Sequence, residues 1–240
     1  VPATVAMTAA SLYNMMDSIF IGHGVGALGI AGLAVTFPFI NLAAAFGSLV
    51  GVGASTLVSV KMGQKDLKSA EAVLGNVLLL NTVIGFLFMT VCLIFLDPIL
   101  YFFGASADTL PYARDYMKVI LYGNLITHIY MGLNEVMRAS GYPQRAMMAT
   151  LFAVLINGVL NALFIFVLDM GIKGAAIASV LAEASSILFF LIYTYISVDL
   201  KKYGLNRLRS FDPALLMRIL SISCFTMLQY FLSMATWFVF

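Results

Sequence analysis

The chain has 240 residues, of which 62% are hydrophobic and 10% charged, with a formal net charge of +2 and a mean hydropathy of +1.01. An ordinary soluble domain carries about 25% charged residues, so this composition excludes that class, and the small net charge gives no reason to expect a nucleic-acid partner. Long uncharged runs without polar–apolar alternation exclude a β-barrel and leave an all-α, polytopic helical membrane protein.

Seven spans are predicted, over residues 2–22, 33–60, 72–96, 111–138, 145–168, 172–198 and 213–240. In the first, from Pro2 to Ile21, the only ionisable side chains are Asp17 and the phenol of Tyr13. At roughly 1.5 Å per residue this stretch is about 30 Å long, the thickness of a bilayer core. An aspartate inside it costs on the order of 3 kcal/mol, so Asp17 is expected to face a cavity, an ion or a polar partner. The Gly-rich stretch His23–Gly32 is expected to be a flexible outer turn. Its G-x-G-x-x-G spacing follows a membrane helix rather than a strand, which argues against a nucleotide site.

The second span carries Pro38, expected to kink it, and then the small residues Gly47, Gly51, Gly53 and Ala54. Small residues on one face let helix backbones approach closely in lipid, so this is a packing signal. Asp97-Pro98 and the stretch Asp108–Asp115 form the next outer connection, with Tyr101, Tyr112 and Tyr116 read as an interfacial aromatic belt. Glu135 and Arg138, three residues apart at an inner helix end, are expected to pair. Asn157 and Asn161 share a face of the fifth span, and Ser179, Glu183 and Ser186 lie on a related face of the sixth. Glu183 is a second intramembrane carboxylate and a rival to Asp17.

With the N-terminus placed in the cytoplasm, the inner connections and flanks hold Lys61, Lys65, Lys68, Arg138, Arg145, Lys201, Lys202, Arg207, Arg209 and Arg218. The outer ones hold Arg114, Lys118 and Lys173, so the positive-inside rule fixes this orientation. The organisation expected is a six-span lobe over 1–200, a cytoplasmic loop over 201–212 that meets anionic lipid, and the first span of a second lobe over 213–240. Cys92 and Cys224 lie in separate apolar spans and are expected to be free thiols. A first residue other than Met and a last residue inside an apolar run are the features expected of a fragment.

Several stretches in order resemble the multidrug and toxic-compound extrusion (MATE) family, nearest its DinF-like branch. They are Pro2 with Tyr13–Gly22, the Gly51–Thr56 run leading to Lys61–Gln64, Asn134–Pro143, Asn157 with Asn161, and Gly171–Ala178. The resemblance covers residues 1 to about 200, the N-terminal lobe of a two-lobed protein that works as a monomer. It implies a cation-coupled antiporter, without a cofactor, that exports small organic, often cationic, compounds across a bacterial inner membrane by alternating access. It also implies that Asp17 binds the coupling ion, with Asn157, Asn161 and Ser179 as polar partners. Tyr13, Tyr130 and Asn134 would line the substrate cavity, and Pro2 would be the hinge of the first helix.

Depth adds a partly independent check. Asp17, Asn161 and Ser179 lie about five, seven and eight residues below the outer ends of their spans, within one helical turn of each other. Asn134 lies near the inner end of its span. Some members of the family carry a second aspartate where this chain has Asn161, so a proton is favoured over sodium as the coupling ion. The alternative is a lipid-linked precursor or polysaccharide flippase of the same superfamily. Such a protein needs basic residues in its cavity, and no Lys or Arg occurs at mid-depth in spans one to six. His23 and His128 are too far apart to form an enzyme's metal or nucleophile–base pair, so no enzymatic activity is expected.

Overall fold

The computed structural model describes residues 2–197 and 212–223. Its elements are α1 (Pro2–Gly24), α2 (Ala27–Gly63), α3 (Leu67–Ile94), α4 (Leu96–Phe102), α5 (Leu110–Ala139), α6 (Pro143–Asn161), a π-helical segment (Ala162–Val167) and α7 (Gly171–Ser197), followed by α8 (Pro213–Ser223). No strand occurs among the described residues. By length and composition, α2, most of α3, α6 with its π segment, and Gly171–Leu191 of α7 are apolar enough to cross a membrane. α1 and α5 are of spanning length but carry polar residues, of which Asp17, Asn124, His128 and Asn134 are buried in the bundle.

α5 is the central helix and packs on α2, α3, α6 and α7, while α1 packs mainly on α6. Glycines make the close approaches. On α2, a Cβ at Gly47 would stand 3.0 Å from the Met131 sulfur, and one at Gly51 would meet the Glu135 side chain at 3.0 Å and the Gly132 backbone at 3.4 Å. The small-residue face of α2 is thus a packing face, as its spacing predicts. α3 and α5 run antiparallel, with Gly85 opposite His128 and Asn81 opposite Gly132. One apolar core, including Phe39, Phe88, Leu100 and Met117, fills the end of the bundle near α4. A second, including Val50, Val73, Val77, Val136 and Ile219, fills the other end, where α8 joins. Exposed Phe86 and Leu87 on α3, Leu155 and Val159 on α6, and Leu188 and Leu191 on α7 form the outward apolar surface.

The structure corrects three expectations and lengthens the second span. The outer turn predicted over His23–Gly32 shrinks to Val25-Gly26, because Gly26 alone takes the left-handed φ of +93° that breaks the helix, and Ala27–Gly32 already form α2. The third span does not run straight into a loop but turns at Phe95 into the short helix α4, with Leu96 and Leu100 buried. Tyr116 is no belt residue. At 4% exposure it points into the core, while Tyr101 is exposed. α2 continues through Pro38 as one helix of 37 residues, about 55 Å long, so it extends beyond the bilayer core or tilts in it.

Other expectations agree. Arg138 pairs with Glu135 and Cys92 is a buried free thiol. His23 is exposed, with its ring nitrogen against the Ile19 carbonyl at 2.9 Å. The expected inter-lobe loop falls on 201–211, outside the described residues apart from Asp212, and Cys224 with the rest of the seventh span after Ser223 also lies outside them. The start of that span is described. Asp212 caps α8 by accepting from the Ala214 and Leu215 amides at 2.9 and 3.3 Å, and its own N–H donates to Asn76 Oδ1 on α3 at 3.1 Å.

Candidate functional site

Asp17 comes from the last third of α1, on the helix face that α6 covers. Gly158 makes this contact possible, since a Cβ there would stand 2.5 Å from the Met16 methyl. Beyond Asn161 the chain enters the π-helical segment, where the Leu168 amide donates to Leu163 O at 3.0 Å, five residues back. Such insertions re-aim side chains and recur near functional sites. The segment locks onto α1 at Gly24, where any Cβ would strike Ile165, and through Phe20 against Phe166.

The carboxylate is 4% exposed and held from two sides. Asn161 Nδ2 donates to Asp17 Oδ1 at 2.5 Å, and the Ser179 hydroxyl on α7 donates to Oδ2 at 3.0 Å. Asn157 braces both donors. Its Nδ2 donates to Ser179 Oγ at 3.2 Å, and its Oδ1 accepts the other amide hydrogen of Asn161 at 3.0 Å. The four side chains of α1, α6 and α7 form one connected network, and Asp17 takes part in none of the ion pairs among the described residues. Two polar atoms near it are buried without a partner, Asn161 Oδ1 and the hydroxyl of Tyr13, one turn before Asp17 on the same face of α1.

The other predicted residues lie apart from this network. Tyr130 and Asn134, one turn apart on α5, both bond Thr150 on α6 at 3.3 Å, and Thr150 donates to Ala146 O at 3.1 Å. Asn134 also donates to Ala146 O at 3.4 Å, so the pair forms a closed knot between α5 and α6. Pro2 is the first residue of α1, and its side chain lies outside the described residues. His128 is fully buried between α2, α3 and α5, with Nδ1 against the Asn124 carbonyl at 2.9 Å.

The pattern of residues carried no sign of the pairing between Thr127 on α5 and Glu183 on α7, where the hydroxyl donates to Oε2 at 2.5 Å. Nor did it show that Arg114 at the start of α5 grips Asp97 of α4 through two bonds of 2.7 and 2.6 Å. Both join residues distant in the chain with no shared periodicity. Among the described residues no group of three His, Cys, Asp or Glu side chains converges to hold a metal ion.

Comparison with known proteins agrees with this geometry. Residues 2–163 match the MatE family. The multidrug export protein MepA of Staphylococcus haemolyticus is 30% identical over 192 residues, which are 80% of this chain and 42% of that protein. A MOP superfamily transporter from Pyrococcus furiosus, described as having a binding pocket of reverse polarity that suggests a different function, superposes with a TM-score of 0.88. It is 28% identical and is covered over 52% of its length by 99% of this chain. An outward-facing multidrug resistance MATE transporter gives a TM-score of 0.88 at 27% identity, with 99% of this chain covering 52% of that one. The chain therefore spans about half the length of the relatives it matches. With more than half of its residues in that match, the chain belongs to the MatE family, whose members are multi-pass membrane transporters and not enzymes.

Proposed function

We propose that the protein exports small organic, often cationic, compounds in exchange for a coupling ion, with Asp17 as the residue that takes up and releases that ion. The observation that carries this reading is a carboxylate at 4% exposure, held by Asn161 and Ser179 and, among the described residues, paired with no base. An unpaired acid at this depth is costly, and a site that gains and loses a positive charge makes use of it. If the outward-open and inward-open states differ in affinity for ion and for substrate, the two bindings are coupled.

The coupling ion is a proton rather than sodium. Both carboxylate oxygens face hydrogen-bond donors, an amide N–H and a hydroxyl, whereas a sodium ion needs several oxygen lone pairs turned toward it. The MepA proteins are multidrug exporters and the Pyrococcus transporter has a pocket of reverse polarity, so the sign of the lobe's interior decides between such roles. Here it carries two acids, Asp17 and Glu183, and the four described ion pairs include neither. That supports a cationic cargo over the anionic headgroup of a flippase. The membrane is the bacterial inner membrane, with the N-terminus inside and the second lobe supplied by the same chain.

Proteoliposomes carrying the full-length protein test this. An imposed pH gradient is expected to drive movement of an organic cation, a sodium gradient alone is not, and Asp17→Asn is expected to abolish it. Undiminished, pH-driven transport by Asp17→Asn would remove Asp17 from the mechanism.

A further inference from the structure

At the end of the bundle that carries α4, an open cavity of about 340 Å³ lies between the last turn of α3, the start of α4 and the first turns of α5. Its charged lining side chains are Asp97, Arg114 and Lys118, and the rest of the lining is apolar. Arg114 commits Nε and Nη2 to the two oxygens of Asp97 at 2.7 and 2.6 Å, and its Nη1 donates to no group among the described residues. Lys118, one turn further along α5, is exposed and takes part in none of the ion pairs among the described residues. With Arg114 matched by Asp97, the cavity carries one uncompensated positive charge. The register that sets Gly85 against His128 and Asn81 against Gly132 brings Lys118 level with the end of α3.

An apolar track leads away from this cavity. Val83, Leu87, Val91 and Ile94 recur at spacings of four and three along α3, so they share one face, and all four are exposed. The track ends at Ile94, which is 68% exposed and forms part of the cavity wall. At roughly 1.5 Å per residue it is about 16 Å long, half the thickness of a bilayer core and so the depth of one leaflet. Tyr122, one turn beyond Lys118 on the same face of α5, is exposed alongside it.

A single positive charge above an apolar track one leaflet deep suits an amphiphile with one negative charge. We propose that the cavity seats the phosphodiester of an anionic phospholipid, with Lys118 and the free nitrogen of Arg114 on its phosphate oxygens and its acyl chains along the Val83–Ile94 face. The long stem of Lys118 lets its ammonium reach the headgroup level while its methylenes stay on apolar surface. Asp97 holds the Arg114 guanidinium in place, which fixes the shape of the cavity and opposes a second negative charge. A free phosphate gains nothing from the apolar face, and a zwitterionic lipid brings its own cation towards Lys118. With the N-terminus inside, the lipid belongs to the outer leaflet. The site stands apart from the Asp17 network and does not depend on what is exported.

Native mass spectrometry of the purified full-length protein tests it, with phosphatidylglycerol, phosphatidylcholine and inorganic phosphate as probes. The wild type is expected to retain phosphatidylglycerol about fivefold more tightly than phosphatidylcholine. Lys118→Gln is expected to remove most of that preference while leaving phosphatidylcholine within about twofold, and Lys118→Arg is expected to keep it. Excess inorganic phosphate is expected to displace neither lipid. Equal retention of phosphatidylglycerol by Lys118→Gln and wild type would overturn the assignment, as would a wild type without preference between the two lipids. Loss of both lipids in Lys118→Gln and in Lys118→Arg would overturn it by making Lys118 structural. Displacement of phosphatidylglycerol by inorganic phosphate would make the cavity a site for a soluble anion and overturn the lipid as its occupant.

Discussion

Both oxygens of Asp17 accept a hydrogen bond, but the two donors are not equivalent. The Asn161 amide divides its hydrogens between Asp17 and Asn157 and leaves its own oxygen buried without a partner, whereas the Ser179 hydroxyl both accepts from Asn157 and donates to Asp17. Removing either donor exposes a charged acceptor to a loss of about 1.5–3 kcal/mol, so Asn161→Ala and Ser179→Ala are each expected to slow export about tenfold or more. Asn157→Ala, which only loosens the braces, is expected to cost less, and initial efflux rates rank the three. Asn161→Asp makes the opposite change. It would place a second carboxylate against the first and replace a donor with lone pairs, so export by this variant is expected to become stimulated by sodium at alkaline pH, where the wild type is indifferent to it. Part of the four-residue network was readable from spacing and depth, since Asn157 and Asn161 are four apart on one helix face and Asp17, Asn161 and Ser179 sit at similar depth. The grouping of all four came from the family resemblance. Thr127–Glu183 and the Thr150 knot were not readable, because a hydroxyl in an apolar run carries no signal of what it meets across a helix interface. Tyr116 was misplaced for a related reason. Residue type and depth suggest a belt, but the rotation of α5 about its axis decides which tyrosine meets lipid.

α2 shows how one helix can hold two neighbours through different glycines. Gly47 and Gly51 admit α5, and Gly53 admits α8, where a Cβ would stand 2.3 Å from the Ile219 carbonyl oxygen and 2.1 Å from Ser223 Oγ. Backbone cannot move aside as a thioether can. Gly53→Ala is therefore expected to lower the thermal midpoint more than Gly47→Ala, whose new methyl meets the flexible Met131, with overpacking costs of about 1–3 kcal/mol setting the scale. The start of α3 supplies a test in acid. Asp66 accepts from the Ser69 amide at 3.1 Å and lies 3.5 Å from Lys61 Nζ, and its carboxyl is held below the usual carboxylate range, first by Ser69 and then by Lys61. A depressed folded value means that the cap is intact above the unfolded value of about 4 and is lost as pH falls through the folded one. Amide exchange at the α2–α3 turn is expected to accelerate there, and Asp66→Asn, which caps without titrating, is expected to remove that acid dependence. Helix existence, the small-residue face and the basic inner turn were legible in the sequence. The extent of the Gly-rich turn was not, since composition marks several glycines and only Gly26 takes the positive φ.

Over the whole lobe, connections alternate between two ends, and each end pairs part of its charge. At the end carrying α4, Arg114 is clasped by Asp97, and Lys173 lies 3.3 Å from Asp115, so two of the basic residues there are matched by acids. At the other end, Lys61 lies 3.5 Å from Asp66 and Arg138 pairs with Glu135, while Lys65 and Lys68 are exposed and Arg145 stacks 4.0 Å over the Tyr142 ring. Two ion pairs at each end cancel, so the asymmetry lies in the larger number of basic residues at the Lys65 end, which resist translocation and are drawn to an anionic leaflet. The same alternation places the outer turn near Asp108 and the α2–α3 turn near Gln64 on opposite sides of the membrane, and both residues are exposed. In a full-length protein with Cys92 and Cys224 replaced by Ala, Asp108→Cys is expected to react with a membrane-impermeant maleimide in intact cells. Gln64→Cys is expected to react only after permeabilisation. The reverse pattern would turn the lobe over, and the Asp17 network, nearer the α4 end, would then meet its ion from the cytoplasm rather than from outside.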